Sequence, residues 1–201
     1  MFSLILKWCE YVFPERRSHL VVRLASPEIF LSLLAPNVHS DFVSLLSFKE
    51  PLVRATIHEA KFKGNAKAWT MLSLVLAQYL QHQAAGTVLV PIPLSKKRAR
   101  ERGYNQVLKV AKRALREMEQ IELDADILFR SRHTAPQTSL SRRARLKNIE
   151  NAFAVRQGKN LEGRHIIILD DVVTTGATLK AARAAVDQHH PASITLIALA
   201  H

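Results

Sequence analysis

The sequence predicts an α/β protein: a mostly parallel twisted sheet with helices on both faces, preceded by a small N-terminal helical extension. Three observations predict it. Residues 87–90 and 166–169 are short apolar runs without alternation, the pattern of strands buried on both faces. Each is followed by a helical pattern, through Val107, Val110, Ala111 and Ala114 after the first and through the Ala-rich 179–186 after the second. A third apolar run at 193–200 continues the alternation. A length of 201 residues suits one domain and an appendage, here 42–201 and 1–41.

In the extension, Phe2, Ile5, Leu6, Cys9, Val12 and Phe13 fall on or near one stripe of a short helix that Pro14 ends. Lys7 and Glu10 interrupt this segment before it reaches the length of a membrane span or secretory core, so no targeting signal is read. Ser26 and Pro27 form a helix start, cap then first-turn proline, with the apolar 29–34 behind them. These elements carry no chemistry of their own and are expected to pack on the main domain.

In the main domain, Val53, Ile57 and Ala60 space out a helix over 52–63, with Gly64 as its C-cap. Ala68, Met71, Leu72, Val75, Leu76, Tyr79 and Leu80 predict a second helix. The strand at 87–90 is stopped by Pro91-Ile92-Pro93. Residues 95–106 then read as a basic, glycine-terminated loop. Within 96–102 five basic residues meet one acid, a local charge of +4. The next helix is expected to reach Met118. A second strand is expected at 127–130, and 152–155 is expected to return to the sheet. Between them, 132–148 is polar and basic with too few apolar positions for a packed helix, and suits a mobile lid. Residues 158–163 form a turn.

Composition sets bounds. A hydrophobic fraction of 48% and a charged fraction of 23% are ordinary for a globular protein, but a net charge of +12 is not. It favours polyanionic partners, either phosphorylated small molecules or nucleic acid. The single Cys9 excludes an internal disulfide and a cysteine-cluster metal site, and suits a reducing cytoplasm.

The chemistry concentrates in 166–179. The apolar run Ile166 to Leu169 meets two acids, Asp170 and Asp171, where the strand is expected to run out. Val172 and Val173 follow, then Thr174, Thr175, Gly176, Ala177 and Thr178 before the helix. Backbone N–H groups at a loop and helix N-terminus favour an anion, most naturally a phosphate. The threonine hydroxyls add donors, and Gly176 lets the backbone close around the oxygens. The carboxylates would repel that phosphate, so they need another task. Ionised carboxylates only accept hydrogen bonds, which suits a vicinal diol. A diol and a phosphate held by one segment describe a ribose 5-phosphate site. The basic 96–102 stretch, just past a strand end, reads either as a holder of a second polyphosphate group or as a solvated face.

This segment closely resembles the phosphoribosyl-pyrophosphate (PRPP) motif of type I phosphoribosyltransferases: four apolar residues, two acids, two apolar residues, then Thr-Thr-Gly-x-Thr. Further motifs resemble the ComF/GntX family within that group. They are Pro91-Ile92-Pro93 followed by Arg98, Arg102 and Gly103 to Gln106, then Gln137, Thr138, Leu140, Arg145, Asn148, Ala152 and Phe153, with Lys61 to Gly64 as a helix-end element. The resemblance covers about residues 42 to 200 and implies the type I phosphoribosyltransferase fold. It implies that Asp170 and Asp171 orient the ribose diol and that Val172 and Thr174 to Thr178 hold the 5-phosphate. Lys63, Lys97, Arg98 and Arg102 would hold pyrophosphate with Mg2+, and Gln137, Arg145 and Asn148 would belong to a lid. Asp170, Asp171, Arg98 and Arg102 are then the catalytic set, transferring phosphoribosyl to or from an acceptor of nucleobase type.

Two departures limit the resemblance. Family members begin with a cysteine-rich zinc finger after a Phe-Pro pair, but Glu15-Arg16-Arg17-Ser18-His19 follows Phe13-Pro14 here. Tetrahedral zinc needs four ligands that this segment does not offer, so no zinc is expected. Purine-salvage members of the superfamily place an aspartate where Thr174 stands, near the purine ring; threonine leaves the acceptor open. The rival reading is a non-catalytic protein on the same fold, acting in competence through single-stranded DNA or protein partners. Its basic runs at 96–102 and 142–147 have only Tyr104 nearby for base stacking. A homodimer is a further partner to be tested, and no membrane partner is expected.

Overall fold

The computed structural model describes residues 15–131 and 152–201. The expected helix over 1–13 and the expected lid, with Gln137, Arg145 and Asn148, lie outside the described residues.

Helices α1 (Glu15–Leu24) and α2 (Pro27–Leu31) come first. The Ser26 side chain accepts from the Ile29 N–H at 3.2 Å and Pro27 occupies the first turn, as a cap followed by proline requires. Strand β1 (Asn37–Val38) turns antiparallel into β2 (Val43–Leu46). Helix α3 (Pro51–His58) continues into a π-helical turn (Glu59–Lys63), then α4 (Ala66–Leu80) and β3 (Thr87–Pro91) follow. Next come α5 (Lys96–Arg102), α6 (Gln106–Ala114), β4 (Ile121–Leu123), β5 (Leu128–Arg130) and β6 (Phe153–Val155). The last elements are β7 (His165–Val172), α7 (Ala177–Asp187) and β8 (Ser193–Ala200).

Among the described residues, six strands form one sheet in the order β1-β2-β8-β7-β3-β4, parallel throughout except for the β1–β2 pair. Strand β7 is central and shows why the fold closes on both sides. Side chains alternate faces along a strand. Ile167 and Leu169 enter a core shared with Met71 and Leu76 of α4 and Val107 and Val110 of α6. Ile166 and Ile168 enter the opposite core with Leu179, Ala182 and Val186 of α7. A strand buried on both faces carries no polar alternation, which is why its sequence reads as a continuous apolar run.

The structure revises several expectations. The basic 96–102 stretch is a helix, not a loop. The Ser95 hydroxyl caps it by accepting from the Arg98 N–H at 3.3 Å, Lys97 and Glu101 approach to 3.9 Å one turn apart, and Gly103 ends it. None of its residues is buried, so it lacks the apolar stripe that periodicity detects. Strand β5 does not join the main sheet: it pairs antiparallel with β6, Leu128 opposite Val155 and Arg130 opposite Phe153. Helix α6 stops at Ala114, four residues short of Met118, which still packs on the core from the turn beyond. Strands β1, β2 and β4 are additions to the expected sheet.

The N-terminal helices are tied to the sheet layer. Val22 and Phe30 are fully buried in the α4-side core, and the Ser18 hydroxyl donates to buried Glu59 at 2.7 Å. No helix among the described residues is long and apolar enough to cross a membrane.

Candidate functional site

The site begins where β7 leaves the sheet. The strand runs through both acids to Val172 rather than ending before them. The alternation that sorts its isoleucines sorts the acids too: Asp170 continues the α7 face and Asp171 the α6 face. Asp171 therefore meets side chains from α6 and from the π-helical turn that follows α3. Its Oδ2 takes the Lys61 ammonium at 2.8 Å and a short hydrogen bond donated by Gln106 Nε2, while Oδ1 accepts the Val172 N–H at 2.6 Å. Asp170 Oδ1 accepts the Asp171 N–H at 2.8 Å.

These environments drive two adjacent carboxyls apart. Burial pushes Asp170 up to about 7, and the neighbouring Asp171 charge adds to it against weaker opposition from Lys61 and Arg130. Burial would raise Asp171 as well, but the Lys61 charge and the hydrogen bonds from Lys61 and Gln106 outweigh it and hold that carboxyl below its usual range. Asp171 is thus the fixed anion and Asp170 the titrating one.

Beyond Val172 the chain crosses to α7 through Val173, Thr174, Thr175 and Gly176. Gly176 is the N-cap at φ 73°, left-handed backbone that a glycine adopts without strain, and it offers no side chain to the first-turn N–H groups. A Cβ there would also touch the Phe42 ring at 3.6 Å. Phe42 stacks on His39, and both rings meet His201, whose Nδ1–H donates to the Val173 carbonyl at 2.8 Å. Asp41 holds Lys180 at 2.7 Å. The β1–β2 turn thus braces the loop from outside.

Across from this loop, α5 supplies cations. Arg98 and Arg102 are one turn apart and share a helix face. Arg102 donates to Gln106 Oε1 at 3.2 Å and lies 5.0 Å over the Phe62 ring. Arg130 of β5 donates through Nε to the Pro93 carbonyl at 3.0 Å and lies 4.7 Å from the Phe153 ring centre. One cavity of about 620 Å3 is lined by Asp170 to Thr178, Arg98, Arg102, Arg130 and Lys61, with Phe48, Ile57, His58 and Phe62 forming an apolar and aromatic side.

The structure brings Asp170, Asp171, Val172, Thr174, Thr175, Gly176, Ala177, Thr178, Arg98 and Arg102 together. It does not bring in Lys63, which is exposed, or Lys97, which stands out on α5 beside Glu101. Lys61, Gln106 and Arg130 have no role assigned from sequence, yet all three line the cavity. A signal exists for Lys61: it lies four residues after the buried Ile57, on the inward face of its helix, whereas Lys63 does not. Among the described residues, no group of three or more His, Cys, Asp or Glu side chains is placed to hold a metal by itself.

Comparisons with known proteins agree with this architecture. The phosphoribosyl transferase domain family matches residues 105–201. DNA utilization protein YhgH of Escherichia coli (strain K12) is 34% identical over 153 residues, 73% of this chain and 66% of that protein. Competence protein F of Haemophilus influenzae is 37% identical over 128 residues, 59% of this chain and 56% of that protein. A hypoxanthine phosphoribosyltransferase structure from Staphylococcus aureus is a more distant likeness, with a TM-score of 0.43 and 16% identity, covering 65% of this chain and 61% of that one. The sheet and the matched domain define a type I phosphoribosyltransferase-like protein. Within that class the chain belongs to the ComF family, and it aligns with just under two thirds of the length of its first curated relatives.

Proposed function

We propose that the protein binds PRPP and moves its phosphoribosyl group between pyrophosphate and an acceptor of nucleobase type. The observation that carries this reading is the single cavity that joins an acid pair, an uncapped helix N-terminus and a two-arginine helix face. The first-turn N–H groups of α7, with Thr174, Thr175 and Thr178, hold the 5-phosphate. Asp170 and Asp171 orient the ribose diol and favour positive charge on the ring. Arg98 and Arg102 take the pyrophosphate. In the forward direction the C1–O bond breaks and its electron pair leaves with pyrophosphate. The acceptor's lone pair forms the new bond to C1, and the acceptor proton passes to solvent. A hard divalent cation is bound by one or two carboxylates and substrate phosphates. Asp170 and Asp171 fit that role, and Mg2+ would supply neutralisation of the pyrophosphate charge.

The test is a melting curve with and without Mg2+ and PRPP. Ligand at about 100 times its dissociation constant adds about 2.7 kcal/mol, roughly 5–10 °C for a chain of this size. The Asp170→Asn, Asp171→Asn double variant is expected to show no ligand-induced shift. A flat wild-type response, or a shift that survives the double variant, would sink the proposal.

A second reading is favoured by the outer face of α5, where Lys96, Lys97 and Arg100 are exposed on a helix with no buried residue. It is single-stranded DNA binding, by a backbone-tracking basic surface. Tyr104 does not serve it well, because its hydroxyl donates to the Ala60 carbonyl at 3.1 Å and its ring packs on Trp69. This reading expects oligonucleotide affinity that falls steeply with salt and falls again in a Lys96→Gln, Lys97→Gln, Arg100→Gln variant. Unchanged affinity in that variant would remove α5 from any DNA surface.

A further inference from the structure

Lys61 sits on an unusual piece of backbone. π-Helical turns are rare and recur at functional sites, and this one is held from several directions. Trp69 Nε1 and the Tyr104 hydroxyl both donate to the Ala60 carbonyl at 3.1 Å. The buried Glu59 carboxylate takes the Ser18 hydroxyl at 2.7 Å and Asn65 Nδ2 at 3.1 Å, while its backbone carbonyl takes the Asn65 N–H at 3.2 Å. The outcome of this bracing is a lysine with an 84% buried side chain whose Nζ is 2.8 Å from Asp171 Oδ2.

That contact competes with the task proposed for Asp171. Its Oδ1 is used by the Val172 N–H, and its Oδ2 by Lys61 and Gln106. Three of the carboxylate's roughly four lone-pair sites are thus taken, so a ribose diol that places both hydroxyls on it must displace a donor. Lys61 is a flexible point charge with three rotatable donors, so it is the partner that can move. A buried ammonium cannot leave an anion for an apolar wall without a large cost, so it needs another anion. Arg98 and Arg102 line the same cavity and collect one there.

We infer that Lys61 is an exchangeable cation that holds Asp171 while the site is empty and passes to the pyrophosphate group when PRPP binds, freeing Asp171 for the diol. This rests on the PRPP reading above. It gives the N-terminal helices a part in the site, because Ser18 of α1 anchors the turn that carries the lysine.

The experiment is calorimetric titration with two probes, inorganic pyrophosphate with Mg2+ and ribose 5-phosphate, on the wild-type protein and Lys61→Gln. Loss of a charge-assisted contact should weaken pyrophosphate roughly tenfold to a hundredfold. Ribose 5-phosphate brings no second anion to receive the lysine, so its affinity should hold or improve in Lys61→Gln. Opposite responses to the two probes are the signature. A merely structural lysine would weaken both together, and a lysine that never leaves Asp171 would keep pyrophosphate within about twofold; either result overturns the inference while leaving the PRPP reading intact. Wild-type protein that binds neither probe removes both. Because Lys61→Gln strands a buried carboxylate, the Lys61→Gln, Asp171→Asn variant is measured beside Asp171→Asn. The same loss of pyrophosphate affinity is expected between those two, and its absence would overturn the inference.

Discussion

Replacing Lys61 with methionine is expected to destabilise the protein by about 3 kcal/mol, seen as a fall in melting temperature of roughly 6–12 °C for a chain of this size. The methionine fills the same space, so packing is not the cause. The cause is Asp171, 93% buried, left without the ammonium that holds its Oδ2 at 2.8 Å. Removing one member of a buried pair strands the other charge, whereas removing both costs far less. The variant that combines Lys61→Met with Asp171→Asn should therefore recover most of the loss. Asparagine keeps an oxygen for the Val172 N–H, now at 2.6 Å from Oδ1. If the double variant melts as low as Lys61→Met alone, the destabilisation comes from the π-helical turn and not from the ion pair.

The same residue marks where the sequence was legible and where it was not. Acids and hydroxyls in 170–178 are read together because they are contiguous: one strand, one loop and one helix start deliver them. Arg98 and Arg102 are read because their charge density stands out, even though their helix has no apolar stripe to announce it. Gln106, Lys61 and Arg130 come from three other elements, and no local pattern links them to Asp170 and Asp171. Their placement follows from which face each acid takes, and that requires knowing that β7 runs on through the acids to Val172. In the fold, β3, β7 and β8 are visible because burial on both faces leaves each with a run of consecutive apolar residues, at 88–90, 166–169 and 196–200. Strand β4 spans three residues with Glu122 exposed in the middle, and β5 carries exposed Phe129. Neither has the length or pattern to show which sheet it joins.

Asp170→Asn is expected to stabilise the protein at pH 8, to do so much less at pH 5, and to match wild type only near pH 4 and below. Asp170 is pushed up to about 7 in the folded protein by burial and by Asp171, against about 4 when unfolded. A carboxyl whose folded pKa lies above its unfolded one holds its proton more tightly when folded. Stability at this group is therefore greatest below about pH 4 and is lost as pH rises to about 7, above which the folded protein carries the full cost of the buried charge. That cost is on the order of 3 kcal/mol, since each tenfold change in proton affinity is about 1.4 kcal/mol and solvent in the cavity reduces the total. Asparagine is uncharged at every pH, and its Oδ1 can still accept the Asp171 N–H that Asp170 accepts at 2.8 Å. The difference in melting temperature between variant and wild type should thus grow from about pH 4 to about pH 7 and level off above, whereas Asp171→Asn, whose carboxyl is held low by Lys61, should show no such gain. A pH-independent difference would mean that Asp170 is ionised at no cost in the empty site. A gain on removing Asp170 would mark a carboxylate held at the expense of stability, the expected condition of a group that must meet a ligand.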